Sequence, residues 1–268
     1  MKIQEGKIRF AAMSLLWGNP EGEQFEQFLQ DAKTAGYDGI ASFADRGGMM
    51  EYLDRPEQFS SLLQKYGLEL ASVDLFIGAD FDFYRKVCDF MAALDCRHLV
   101  CLGGYGREPG DFAAVGQLMN RMGEIARERG IQAVYHNHTD MTGETAEDMA
   151  LLLSYTDPEK VSVMCDVGHA TKDFIHQPIE MRATAFMEKY WDRLTFIEFK
   201  DWHEETDLNT AVGQGRCNFD GIFSLLKERG YEGWITVEQN GHVGLPPGTK
   251  PLDFAVASRQ YIKERMGM

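Results

Sequence analysis

Four apolar stretches in the second half of the chain each end in a side chain able to hold a metal ion: Ala133-Val134-Tyr135-His136, Val163-Met164-Cys165-Asp166, Phe196-Ile197-Glu198 and Ile235-Thr236-Val237-Glu238. The runs read as buried strands, and a buried carboxylate or imidazole is costly unless something compensates it. One such residue on each of four successive strands points to a shared site. A divalent cation is the simplest compensation for three carboxylates and one imidazole. Mixed nitrogen and oxygen ligands suit Mn²⁺, with Mg²⁺, Co²⁺ or Zn²⁺ as alternatives. The competing reading is four unrelated strand ends, each satisfied by hydrogen bonds or by Lys200.

These residues need elements that bring strand ends together. Short apolar runs cover residues 9–14, 39–43, 69–75, 98–102, 132–137, 161–167, 194–200 and 233–239. Amphipathic helical patterns separate and follow them, over 23–35, 56–66, 81–94, 112–129, 144–155, 179–190, 219–229 and 252–265. Gly36, Gly67, Gly130 and Gly230 each close a helix as left-handed C-caps would. Asp111, Thr142 and Asn218 stand near helix starts as N-caps. Strict alternation of strand and helix implies parallel strands with right-handed crossovers. The predicted fold is therefore α/β, a single (β/α)8 TIM barrel over residues 1–268. A doubly wound open sheet is the alternative, but it usually has fewer strands. The first strand also lacks a Gly-rich phosphate turn, and Gly103-Gly104-Tyr105-Gly106 after the fourth lacks the dinucleotide spacing. In a barrel, chemistry sits at the C-terminal ends of the strands, where His136, Asp166, Glu198 and Glu238 fall. Alternation places His138 on the face of His136, and Lys200 on the face of Glu198.

Composition narrows the function. The 268 residues carry a formal charge of -15, which opposes nucleic acid and anionic membranes as partners. No apolar run approaches the ~20 residues that span a bilayer. The five cysteines are odd in number and form no CxxC pair, which argues against a disulfide framework or zinc knuckle and for a reducing cytoplasm. The opening residues Met1 to Lys7 lack the apolar core of a signal peptide. No Gly-x-Ser-x-Gly elbow, P-loop or His-Glu-x-x-His occurs.

Tyr135-His136-Asn137-His138, Cys165-Asp166-Val167-Gly168-His169, Glu198-Phe199-Lys200-Asp201, Gly213-Gln214-Gly215 and Trp234-Ile235-Thr236-Val237-Glu238-Gln239 together resemble the xylose-isomerase-like TIM-barrel superfamily. That superfamily includes sugar phosphate isomerases/epimerases, ketose 3-epimerases, hydroxypyruvate isomerase and inosose dehydratase. The resemblance implies one bound divalent ion, a small sugar or inosose substrate and a homo-oligomer. Its members commonly supply Glu, Asp, His and Glu from strands five to eight; here His136 stands on the fifth and Glu198 on the seventh. The exchange preserves the ligand set and its charge, so the reading is a retained site with two ligands swapped. A degenerate, metal-free site is the alternative. In this frame the Tyr-His-x-His run is closest to the inosose dehydratases, and the His of Asp-x-Gly-His, here His169, contacts substrate oxygens.

The expected chemistry is removal of a proton next to a carbonyl. Glu238 or Glu198 is the base, and Lys200, His136 or His169 moves the second proton. His169, His138, Lys200, Trp17 and Arg216 are candidate substrate contacts, and burial near a cation would lower the Lys200 pKa. Each has a plainer reading: a loop-capping His169, a Glu198–Lys200 ion pair, an orienting His138, a core Trp17 and a surface Arg216. Phe43, Trp202, His203, Gln239 and His242 are weaker candidates of the same kind. Reprotonation of the enediolate gives an isomerase or epimerase, the leading expectation. Loss of a β-substituent gives a lyase, either an inosose-type dehydratase or a 3-keto-glycoside lyase. An endonuclease IV-like nuclease is opposed by seven histidines and the -15 charge; a metal-free sugar-binding barrel is the non-enzymatic alternative.

Overall fold

The computed structural model describes residues 8–241, 245 and 248–267. All eight expected strands form: β1 Ile8–Met13, β2 Gly39–Phe43, β3 Glu69–Phe76, β4 His98–Leu102, β5 Gln132–Tyr135, β6 Val161–Asp166, β7 Leu194–Phe199 and β10 Gly233–Val237. They pair in parallel into a closed barrel, sealed where β1 meets β10 with Ile8 beside Gly233. Around it lie helices α1 Gly22–Ala35, α2 Pro56–Tyr66, α3 Phe81–Ala93, α4 Pro109–Arg127, α5 Ala146–Ser154, α6 Val167–Asp173, α7 Arg182–Lys189, α8 Phe219–Arg229 and α9 Pro251–Met266. The architecture is a (β/α)8 barrel.

Period-two alternation divides each strand into two faces. Ile8, Phe10 and Ala12 of β1, Val73 and Leu75 of β3, and Ile197 and Phe199 of β7 pack outward in the core shared with the helices. The opposite faces fill the barrel. Ala11, Val100, Val134, Met164, Phe196 and Trp234 form a dry plug across it. Above the plug the interior is two-sided. Met13, Ala41, Phe43 and Leu102, from β1, β2 and β4, make an apolar wall with Met141. The wall of β5, β6, β7 and β10 ends in His136, Asp166, Glu198, Lys200 and Glu238, all buried.

Several boundaries differ from expectation, each for a local reason. The strands predicted to reach residues 137, 167, 200 and 239 leave the ladder at Tyr135, Asp166, Phe199 and Val237. Helix α5 starts later than expected. Its N-cap is Thr145, whose hydroxyl accepts from the Asp148 N–H at 3.0 Å; Thr142 is instead buried beneath the loop after β4, donating to the Gly106 carbonyl. Asp111 is inside α4, where it accepts from the Glu108 N–H at 3.0 Å. Asn218 does cap α8, accepting from the Gly221 N–H. Helix α6 and the hairpin of β8 Asp201–His203 and β9 Asp207–Thr210 were not expected. Both follow site residues directly.

Candidate active site

Asp166 ends β6 and caps α6 in the same stroke. Its Oδ1 accepts from the His169 N–H at 3.0 Å, which turns Oδ2 toward the barrel axis. Oδ2 lies 3.3 Å from His136 Nε2, 3.5 Å from Lys200 Nζ and 3.7 Å from His169 Nε2. Asn137, fully buried beside it, clamps the two strand ends: its Oδ1 accepts from the Asp166 N–H at 2.8 Å and its Nδ2 donates to the Asp166 carbonyl at 3.1 Å. The Gly168 of this turn is required by space. A Cβ there would sit 2.8 Å from Lys200 Cγ.

Glu198 Oε2 accepts from Thr236 Oγ1 at 3.0 Å. Its Oε1, 3.9 Å from His136 Nε2, has no hydrogen-bond partner and is buried. His136, Asp166 and Glu198 each offer one ligand atom, and these atoms lie within 4.8 Å of one another. Atoms that share one ion at ~2.1 Å stand roughly 3–4 Å apart, so the triad needs only slight contraction to hold a cation. The orphaned Glu198 oxygen is the mark of a missing positive partner.

Glu238 does not join the triad. Its Oε1 is ion-paired with Lys200 Nζ, which also faces Asp166. The expected quartet is thus a triad with a carboxylate–ammonium pair beside it. Lys200 is buried among these carboxylates. Burial disfavours its charge, but Glu238, Asp166 and Glu198 outweigh burial and hold the ammonium above its ordinary range. Burial likewise opposes ionised Asp166, yet His169, Lys200 and His136 keep its carboxyl well below the usual range. Burial, then Glu238 and Asp166, push Glu198 well above it. Three carboxylates around one ammonium leave a net negative charge, as a divalent cation requires.

Three imidazoles line the β5–β6 side. The rings of His138 and His169 lie 4.0 Å apart, tilted by 37°, and His136 stands 5.6 Å and 6.1 Å from them. Burial lowers His138 to about 3, aided by His136 and Lys200, and lowers His169 well below its ordinary value. Thr139 touches both: its N–H donates to His169 Nδ1 at 3.1 Å, and its carbonyl lies 2.7 Å from His138 Nδ1.

Other expected contacts are committed elsewhere. The Trp17 indole donates to Asp31 at 2.9 Å and packs on Phe28, in the layer of α1. Arg216 pairs with Glu204 at 2.8 Å, half exposed. Phe43 belongs to the apolar wall, Trp202 donates to Asp207, and Gln239 donates to the Asn209 carbonyl. His203 lines a cleft of about 650 Å³ beside the β8–β9 hairpin. His242 lies outside the described residues.

Sequence reading missed four participants. Asp74 is buried on the inward face of β3, bonded to Ser72 Oγ at 3.1 Å; burial and Glu238 raise its carboxyl well above the usual range. Its signal was available, a charged residue inside Ala71-Ser72-Val73-Asp74-Leu75. Asn137 and Thr139 act through backbone contacts that residue type alone does not reveal. Asp201, next to Lys200, is fully buried and accepts four backbone N–H groups, from Trp202, Gly213, Gly215 and Cys217, at 2.8 to 3.1 Å. It ties the Gly213-Gln214-Gly215 loop to the site.

Comparison with known proteins agrees with this picture. A family model described as xylose isomerase-like TIM barrel matches residues 29–264. An inosose dehydratase of Geobacillus thermodenitrificans is 30% identical over 170 residues, covering 56% of this chain and 53% of that protein. The chain spans about half the length of the first curated relatives it matches. A sugar phosphate isomerase/epimerase from Parabacteroides distasonis superposes with a TM-score of 0.74 at 22% identity, covering 98% of this chain and 96% of that one. A xylose isomerase-like TIM barrel protein from Mycobacterium smegmatis, solved in complex with magnesium, gives 0.74 at 18% identity, with 96% of each chain covered.

Proposed function

The chain belongs to the xylose isomerase-like TIM-barrel family, and on that premise we propose that it is a carbon–oxygen lyase of the dehydratase type, acting on a keto sugar or inosose. The observation that carries the reading is the Glu238–Lys200 pair standing beside the His136–Asp166–Glu198 triad. His136, Asp166 and Glu198 would hold a divalent cation, which when bound would supply Lewis-acid polarisation of the substrate carbonyl.

Glu238 is the base that removes the proton from the carbon next to the carbonyl. Lys200, hydrogen-bonded to Glu238, gives the proton that departs with the β-hydroxyl and recovers one from Glu238. The pair therefore ends as it began, and one water is lost. His138 and His169 face the hydroxyl-bearing side of the substrate, and the apolar wall of Met13, Ala41, Phe43 and Leu102 meets its carbon face. The inosose dehydratases among the relatives support this reading.

Epimerisation is the second reading, favoured by the likeness of fold to known epimerases. It needs two groups exchanging protons on opposite faces of one carbon. On the β5 side that position is filled by His136, an imidazole already engaged with Asp166 and Glu198. Incubating the Mn²⁺-loaded protein with an inosose, a ketohexose and a 3-keto-glycoside, followed by mass measurement, tests the choice. A product lighter by one water is expected; a product of unchanged mass would replace the dehydratase reading with the epimerase one.

A further inference from the structure

His138 and His169 are neighbours on one wall of the site, and the same residue touches both. The Thr139 backbone N–H points at His169 Nδ1 at 3.1 Å. An amide N–H can only donate, so this nitrogen presents its lone pair and the neutral ring carries its proton on Nε2. The Thr139 carbonyl lies 2.7 Å from His138 Nδ1. A carbonyl can only accept, so this nitrogen carries the proton and His138 Nε2 keeps the lone pair. Both rings turn their Nδ1 atoms toward Thr139, and so their Nε2 atoms away from it. His169 Nε2 is buried with no hydrogen-bond partner. Asp166 Oδ2, at 3.7 Å, is too far to satisfy it.

The Thr139 side chain reinforces the arrangement. Its Oγ1 lies 2.8 Å from His169 Nδ1 and 2.6 Å from Asp173 Oδ2. The hydroxyl donates to Asp173 Oδ2, which anchors Thr139 to α6 and holds its backbone N–H against His169.

We infer that Thr139 is a positioning residue that sets the two neighbouring imidazoles in opposite tautomers, His169 as an Nε2–H donor and His138 as an Nε2 acceptor, so that together they read a free hydroxyl group of the substrate. A hydroxyl donates and accepts at once. A carbonyl, an ether or a fully ionised phosphate oxygen only accepts, and would leave the His138 lone pair unmatched, at the cost of an unpaired polar group. The inference deepens the proposed reading and rests on it for the location of the substrate.

The test is ¹⁵N-edited NMR of the histidine rings in protein labelled at its seven histidines, with His138→Gln and His169→Gln used for assignment. The expected spectrum has the proton of His169 on Nε2 and that of His138 on Nδ1. Identical tautomers in the two rings would overturn the inference. Addition of myo-inositol, a polyol that cannot undergo the dehydration, should move both ε2 resonances together; a shift confined to one ring, or none, would contradict hydroxyl recognition. Thr139→Ser should keep the wild-type spectrum. Opposite tautomers without any turnover of an inosose would sink the dehydratase reading and leave this inference standing. Dehydration with identical tautomers would do the reverse.

Discussion

Glu238 and Lys200 are the residues on which the chemistry turns. Glu238→Gln preserves shape and removes the base, so turnover should fall by about 10²–10⁴-fold; unchanged turnover would remove Glu238 from the mechanism. Lys200→Met leaves Glu238 and Asp166 facing each other without their cation, both at least nine-tenths buried. Loss of one partner of a buried charge cluster costs roughly 3–5 kcal/mol. Urea denaturation of the metal-free protein should show that loss, and metal loading should recover part of it. Acid should act through His138. Its folded value is depressed from 6.5 to about 3 by burial, then by His136 and Lys200. A depressed base contributes stability that is present above the unfolded value and is lost as pH falls from 6.5 toward 3. Wild-type protein should therefore lose stability as pH falls through 6.5 toward 3, and His138→Gln should reduce that slope to the part that His169 and His98 contribute; an equal slope in the variant would exclude His138 as a source. His136, Asp166 and Glu198 were legible in the sequence because each is a costly residue at the end of an apolar run. The contacts of Asn137 and Thr139 were not, because a sequence places these residues near strand ends without showing which groups they bond.

Turns matter as much as strands at the scale of elements. The β7–β8 junction delivers Lys200 inward and Asp201 into the loop of residues 211–217. Replacing Asp201 by Ala would strip four backbone N–H groups of their acceptor and should cost about 2–4 kcal/mol, the range for losing several charge-assisted bonds with partial rescue by water. Gly215→Ala tests the same clamp from the other side, since the added Cβ would lie 2.3 Å from Asp201 Oδ1. Both variants should unfold early and lose turnover together; a stable Asp201→Ala would show that the loop is held by other means. The long amphipathic helices and the three glycine C-caps at Gly36, Gly67 and Gly230 could be read directly, because period and punctuation are local signals. Helix α6 and the β8–β9 hairpin could not. Each is too short to show a period, and each is created by a capping carboxylate, Asp166 or Asp201, that also looks like a site residue.

Across the whole molecule, the barrel sorts its upper interior into an apolar half and a polar half. That division follows from which strands end in Met, Phe and Leu and which end in His, Asp and Glu, so the closed (β/α)8 architecture could be read from alternation of strand and helix. The contacts across the barrel could not, since they depend on stagger between strands distant in sequence. The fold buries Asp166, Glu198, Glu238 and Lys200 together at one end of the barrel, where acidic groups outnumber the one ammonium. Metal binding should stabilise the protein by about 2.7 kcal/mol at a free concentration 100 times the Kd, read as a rise in unfolding free energy that EDTA reverses. Among the described residues no helix is long and apolar enough to cross a membrane.

The most direct measurement is the metal content of purified protein after Mn²⁺ loading and desalting, beside that of Asp166→Ala and Glu198→Gln. About one equivalent per chain in the wild type, falling below roughly 0.1 in both variants, is the predicted result. A wild type that retains no metal, or variants that retain as much as the wild type, would contradict a cation held by His136, Asp166 and Glu198.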